Sequence, residues 1–123
     1  MNRGGQAPSL EGRRMLVVED EYMLADDMAL DFKCFGAEIS GPVPTIAEAR
    51  ALLDDDGPID GAVLDINLNG EMVYEFADLL NERGIPFLFA TGYDRHSLPG
   101  RFKGTLVCEK PVDAAQLAAG LFA

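Results

Sequence analysis

Five polar residues stand where short apolar runs of this 123-residue chain break off, and their types suit one chemistry. Met15-Leu16-Val17-Val18 ends in Glu19 and Asp20, and Gly61-Ala62-Val63-Leu64 ends in Asp65. Pro86-Phe87-Leu88-Phe89-Ala90 ends in Thr91, and Thr105-Leu106-Val107-Cys108 ends in Glu109 and Lys110. Three carboxylates gathered at one point repel each other and demand a divalent cation. Oxygen ligands without an imidazole favour Mg²⁺ over zinc or copper. An ammonium at Lys110 offsets charge on a third side. A metal, an ammonium, a hydroxyl and one carboxylate free to attack make a phosphoryl-transfer constellation.

Other chemistries find less support. Asp65-Ile66-Asn67-Leu68-Asn69-Gly70 copies the first half of a calcium-binding loop. Position twelve of such a loop is a bidentate Glu, and here it is Phe76; a strand-like run precedes the segment where a helix is needed. There is no GxxxxGK[ST] or GxGxxG nucleotide motif. Ser9, Ser40 and Ser97 lie in no nucleophile elbow. His96, the single histidine, reads as a solvated loop residue.

The elements that must position these groups follow from periodicity. The apolar runs are short and unbroken, as in strands buried on both faces. Between them, Leu24, Met28, Phe32 and Phe35 recur at helical spacing before Gly36 and predict the core stripe of a first helix. Met23, Leu30 and Cys34 form a second, narrower stripe that should be partly exposed. Ala37 to Ser40 predicts a second strand, followed by Gly41-Pro42-Val43-Pro44. Thr45 with Glu48 forms a capping box for a helix reaching Leu53. The loop Asn67–Gly70 leads to a helix whose Val73, Phe76, Ala77 and Leu80 share a face. Asp113 and Gln116 cap a last helix carrying Leu117 and Leu121. Between Tyr93 and Gly104, Pro99, Gly100 and Gly104 leave room for one helical turn or a mobile loop. Strands alternating with helices predict a doubly wound α/β fold, with the site beyond the carboxyl ends of a parallel sheet.

Composition bounds the partners. Hydrophobic residues make 48% of the chain and charged residues 25%, a globular balance. The net charge of -11 repels phosphate backbones and anionic lipid, which argues against nucleic acid and membrane as partners. Two cysteines, Cys34 and Cys108, build neither a disulfide framework nor a thiolate metal site, and free thiols place the protein in the cytoplasm. Residues 1–13, rich in glycine and arginine, read as a flexible lead-in, with one domain over 14–123.

Taken together, Val17-Val18-Glu19-Asp20-Glu21, Leu64-Asp65-Ile66-Asn67-Leu68, Thr91-Gly92 and Lys110-Pro111 resemble a bacterial two-component receiver domain, over Arg14 to the C-terminus. Pro86-Phe87-Leu88-Phe89-Ala90-Thr91-Gly92-Tyr93, Gly41-Pro42 and the poor fourth helix are similar to the FAT GUY subfamily. The resemblance implies a (βα)5 flavodoxin-like fold with a five-stranded parallel sheet in the order 2-1-3-4-5 and a short or disordered fourth helix. It implies that Asp65 accepts a phosphoryl group from a kinase histidine. Glu19, Asp20, Asp65 and the Asn67 carbonyl then hold Mg²⁺, while Thr91 and Lys110 bind the phosphoryl oxygens. It also implies a cis Lys110–Pro111 bond. The implied partner is a histidine kinase, of the HWE or HisKA2 type in this subfamily, or a histidine phosphotransfer protein. The first helix is the docking face.

One position departs from the family pattern. Receivers carry Tyr or Phe three residues before the lysine as a rotameric switch, and here that residue is Val107; Tyr93 is the candidate to take over. The chain then reads as a single-domain response regulator, a monomer or weak dimer, that signals by contact or by relay. It catalyses only the phosphorylation and dephosphorylation of its own Asp65 and turns over no external substrate. The alternative is an interaction module that regulates a kinase or partner independently of phosphorylation.

Overall fold

The computed structural model describes residues 9–55, 57–92 and 98–122. Strand β1 (Arg14–Val18) leads into helix α1 (Tyr22–Cys34), then β2 (Glu38–Val43), α2 (Ile46–Asp55) and β3 (Gly61–Asp65). A small ribbon of β4 (Asn67–Leu68) and β5 (Glu71–Met72) precedes α3 (Tyr74–Glu82). Next come β6 (Phe87–Thr91), a 3-10 turn (Gly100–Phe102), β7 (Val107–Glu109) and α4 (Ala114–Phe122).

Five strands form one parallel sheet in the order β2-β1-β3-β6-β7. Counting that sheet alone, this is the expected 2-1-3-4-5. The order reverses between β1 and β3, so their carboxyl ends open a crevice. Every residue of β3 and β6 is buried, as the unbroken apolar runs required. Alternation along β1 sends Met15 and Val17 toward α1 and α4, and Leu16 and Val18 toward α2 and α3.

The helices begin where the side chains satisfy their free N–H groups. Thr45 Oγ1 accepts from the Glu48 N–H at 3.1 Å and donates to the Glu48 carboxylate at 2.8 Å. Asp113 and Gln116 cap each other reciprocally, at 2.7 and 3.0 Å. On α3 the predicted face, Val73, Phe76, Ala77 and Leu80, is fully buried. No helix is long and apolar enough to cross a membrane, among the described residues.

Three local expectations differ from what the chain does. Phe35 is half-exposed (53%) and not part of the core stripe. The last turn of α1 tightens, with the Phe35 N–H bonded to the Phe32 carbonyl at 3.0 Å, which rotates the ring off the 100° spacing. Leu10, inside the expected lead-in, has no exposure and packs with Phe32 and Ala37 at that end of the layer. The Gly12 N–H bonds the Gly36 carbonyl at 3.0 Å. Gly36 itself has φ +95°, and a Cβ there would meet Glu11 at 2.8 Å, so only glycine admits the lead-in this closely. Finally, the loop after Asp65 is a tight hairpin. Asn69 and Gly70 both have positive φ (53° and 90°), the signature of a type I′ turn.

Between β6 and β7 the described residues hold the single 3-10 turn and no α-helix. Tyr93, His96 and Ser97 lie outside the described residues.

Candidate functional site

The carboxyl edge of the sheet gathers the groups singled out in the sequence. The Glu19 N–H donates to the Val43 carbonyl at 2.9 Å, which extends the β1–β2 pairing by one residue. The chain then turns, and the Glu21 N–H donates to Glu19 Oε2 at 3.0 Å, holding the Glu19 carboxylate inward. Across the sheet the Lys110 N–H bonds the Thr91 carbonyl at 2.9 Å, which carries Lys110 to the same edge.

Lys110 Nζ bridges two carboxylates. It lies 3.0 Å from Glu19 Oε1, 3.2 Å from Oε2 and 3.0 Å from Asp65 Oδ2. The Glu19 and Asp65 side chains are 1% and 7% exposed, so this ion pair is hardly screened by water. Burial pushes the Glu19 carboxyl up to about 7, with the neighbouring Asp65 charge adding to it. Burial also raises Asp65, despite the opposing pull of the Lys110 ammonium. For Lys110, burial disfavours the charged form, but the two carboxylates outweigh it and the net shift is upward.

Carboxylate oxygens of Glu19, Asp20 and Asp65 all lie within 4.8 Å of one another. One lysine cannot neutralise three anions. Glu19 Oε1 is buried and makes no hydrogen bond: Lys110 attracts it electrostatically without a hydrogen-bonding alignment. An orphaned buried oxygen within an all-oxygen cluster fits a hard divalent cation such as Mg²⁺.

The ribbon fixes Asn67. Val73 donates to the Ile66 carbonyl at 3.1 Å, so Asn67 and Met72 form the next, non-hydrogen-bonded pair of the ladder. The Asn67 N–H turns outward to Asp65 Oδ1 at 3.3 Å, and its side chain accepts from the Gly70 N–H at 2.7 Å. By the same alternation its carbonyl is not used within the ribbon. The Asn-Gly pair was the signal for this hairpin, and the reading of a plain loop missed it.

The geometry brings Glu19, Asp20, Asp65 and Lys110 together, and Thr91 sits buried (4%) on the same edge. The Lys110–Pro111 bond is cis, as expected; so is Gly41–Pro42, which the sequence reading left unremarked. Beside Lys110 runs a groove of about 430 Å³ lined by Glu21, Leu24, Gly92, Glu109 and Pro111, which the strand-end reading did not foresee. Val107 is half-buried against the α2–α3 side of the core.

Solved structures give this arrangement a family. The solution structure of SdrG from Sphingomonas melonis Fr1 matches at 37% identity, over 89% of this chain and 92% of that one, with a TM-score of 0.76. The BeF3-activated conformation of SdrG from Pseudomonas melonis Fr1 matches at 35% identity, over 88% and 92%, with a TM-score of 0.70. A response regulator receiver protein from Sinorhizobium medicae WSM419 shares the fold at 24% identity, over 92% and 94%, with a TM-score of 0.71. No protein-family model matches the chain, nor does any curated protein. With the sheet order, the acidic cluster and the bridging lysine already in place, identity above 30% over nine-tenths of SdrG decides the matter: the chain belongs to the response regulator receiver domains.

Proposed function

We propose that this receiver is a phosphoacceptor switch in which Asp65 takes a phosphoryl group from a histidine kinase or a histidine phosphotransfer protein. The observation that carries the reading is the Lys110 ammonium held 3.0 Å from Asp65, beside three convergent carboxylates. In the step, an Asp65 carboxylate oxygen bonds to phosphorus as the bond from phosphorus to the donor imidazole nitrogen breaks. The imidazole leaves with the electron pair, and the product is an acyl phosphate.

The chain's own groups prepare that step. The Asn67 N–H orients the Asp65 carboxyl, and Lys110 and Thr91 meet the incoming oxygens. Glu19, Asp20, Asp65 and the Asn67 carbonyl would hold Mg²⁺, which supplies charge neutralisation for the transferred group when bound. No external substrate is turned over, so the protein acts as a switch more than as an enzyme. The similarity to the FAT GUY subfamily favours an HWE or HisKA2 kinase as the donor, in the cytoplasm. Residues 14–123 constitute the receiver unit in this reading.

Helix α1 supports a docking face for the donor. Tyr22, Met23 and Leu30 are 84%, 81% and 63% exposed, beside the acceptor edge. Exposed apolar groups on one helix fit the helical surface of a kinase dimerisation bundle.

Incubation with labelled acetyl phosphate and Mg²⁺, then with a phosphorylated kinase, tests the proposal. Wild type acquires label, and Asp65→Asn, which keeps the shape and removes the nucleophile, acquires none. Undiminished labelling of the variant sinks the assignment. Leu30→Glu slows transfer from the kinase and leaves acetyl phosphate labelling intact; equal slowing of both reactions instead means damage to the fold.

A further inference from the structure

The hydroxyl oxygen of Tyr74 is buried and has no hydrogen-bond partner. A phenol kept from water without a partner costs free energy that a phenyl ring would not. The ring itself is firmly held. It stacks on Phe102, with centroids 5.6 Å apart and planes at 28°, and meets Phe89 edge-on at 6.0 Å and 86°.

Those neighbours lead to the acceptor site. Phe89 lies two residues before Thr91 on β6, so both side chains leave the strand on the same side. Phe102 belongs to the 3-10 turn on the way to β7. The register sets Phe89 beside Val107, the position where receivers carry a ring and this chain does not. Tyr74 is the first residue of α3, directly after the ribbon that fixes Asn67. One ring therefore touches the wall behind Thr91 and the turn at the surface, and its helix starts from the acceptor loop.

We infer that Tyr74 is a positioning residue for the phosphoryl site: its hydroxyl biases the aromatic layer behind Thr91 between the arrangement seen here, where it is unpaired, and one where it is paired, and phosphoryl loading selects the second. This rests on the reading of Asp65 as acceptor. A ligand shifts such an equilibrium only by its differential affinity for the two arrangements. The unpaired hydroxyl raises the free energy of the unloaded state and so narrows the gap that loading must close. Movement of Thr91 toward a group on Asp65 opens room on the Phe89 side, and Tyr74 fills it.

The test is Tyr74→Phe, which removes one oxygen and keeps the ring. The probe is beryllofluoride with Mg²⁺, titrated into the full chain by NMR, with thermal melts of the unloaded protein alongside. The unloaded variant melts about 2–5 °C above wild type. Its half-saturation by beryllofluoride weakens by about three- to tenfold, because the unloaded arrangement is favoured. A ring with only a structural role would not raise stability and weaken loading together. An unloaded variant that melts at or below wild type means the hydroxyl is paired, for instance by a bound water, and overturns the inference. Unchanged half-saturation overturns it as well. Wild type that fails to bind beryllofluoride overturns the acceptor reading and this inference with it, a result visible before any substitution is made.

Discussion

Strand β6 runs through two regions that solve opposite problems. Its Phe87 and Phe89 join Tyr74 and Phe102 in an aromatic layer with ring centroids 5.4–6.4 Å apart. Two residues past Phe89, Thr91 stands at an edge where Glu19 and Asp65 are buried around a single lysine. The aromatic layer gains from every Å² it removes from water, and its edge-to-face pairs add to that gain. The acidic edge loses by burial: charges that repel each other are held out of solvent, and part of the cost appears as a Glu19 carboxyl raised to about 7. The fold can hold an unfavourable cluster in place because a favourable one is anchored to the same strand a few residues away.

The comparison breaks first if the aromatic layer proves weak. Phe89 is fully buried and contacts three rings, so Phe89→Ala should cost about 3–5 kcal/mol in urea unfolding. A loss below about 1 kcal/mol means that the layer does not anchor the edge.

A smaller effect sharpens the other side. If the acidic edge is held together by a cation, millimolar Mg²⁺ stabilises wild type by about 2.7 kcal/mol at a hundredfold excess over Kd. Differential scanning calorimetry with and without chelator reads this as a rise in Tm. Asp20→Ala, which removes one of the three convergent carboxylates, abolishes the rise. A wild-type Tm indifferent to Mg²⁺ removes the metal from the account.

The smallest effect concerns the chelated protein. Glu19 is raised in the folded state, so its contribution to stability is fully present below the unfolded value of about 4.5 and is lost as pH rises through about 7. Asp65 is shifted in the same direction. Chelated wild type should therefore lose on the order of 1 kcal/mol between pH 6 and pH 8. Glu19→Gln, which cannot ionise, flattens that slope. Stability of chelated wild type that climbs over the same interval contradicts a burial cost at this edge.

How far the sequence carried the description depends on what each signal encodes. Apolar runs that stop abruptly encode strands and their ends, which is why Glu19, Asp20, Asp65, Thr91 and Lys110 were legible as one edge. Capping boxes encode helix starts, and Thr45–Glu48 and Asp113–Gln116 form as read. The Asn69-Gly70 hairpin was equally encoded, by two residues that tolerate positive φ, and was passed over because its strands are only two residues long.

Other features have no local signal at all. Helical spacing assigned Phe35 to the core, but the tightened last turn of α1 and the arrival of Leu10 from the lead-in decided otherwise. Glu19 and Asp20 are adjacent acids of similar propensity; only the turned-back Glu21 N–H makes Glu19 the partner of Lys110. Tyr74 differs from its neighbours on α3 only in what surrounds its hydroxyl. The sequence by itself determined the elements, their order and the chemistry at their ends, because periodicity and caps act within a few residues. The tertiary structure alone decided which of those groups are desolvated and paired, because that depends on residues brought together from across the whole chain.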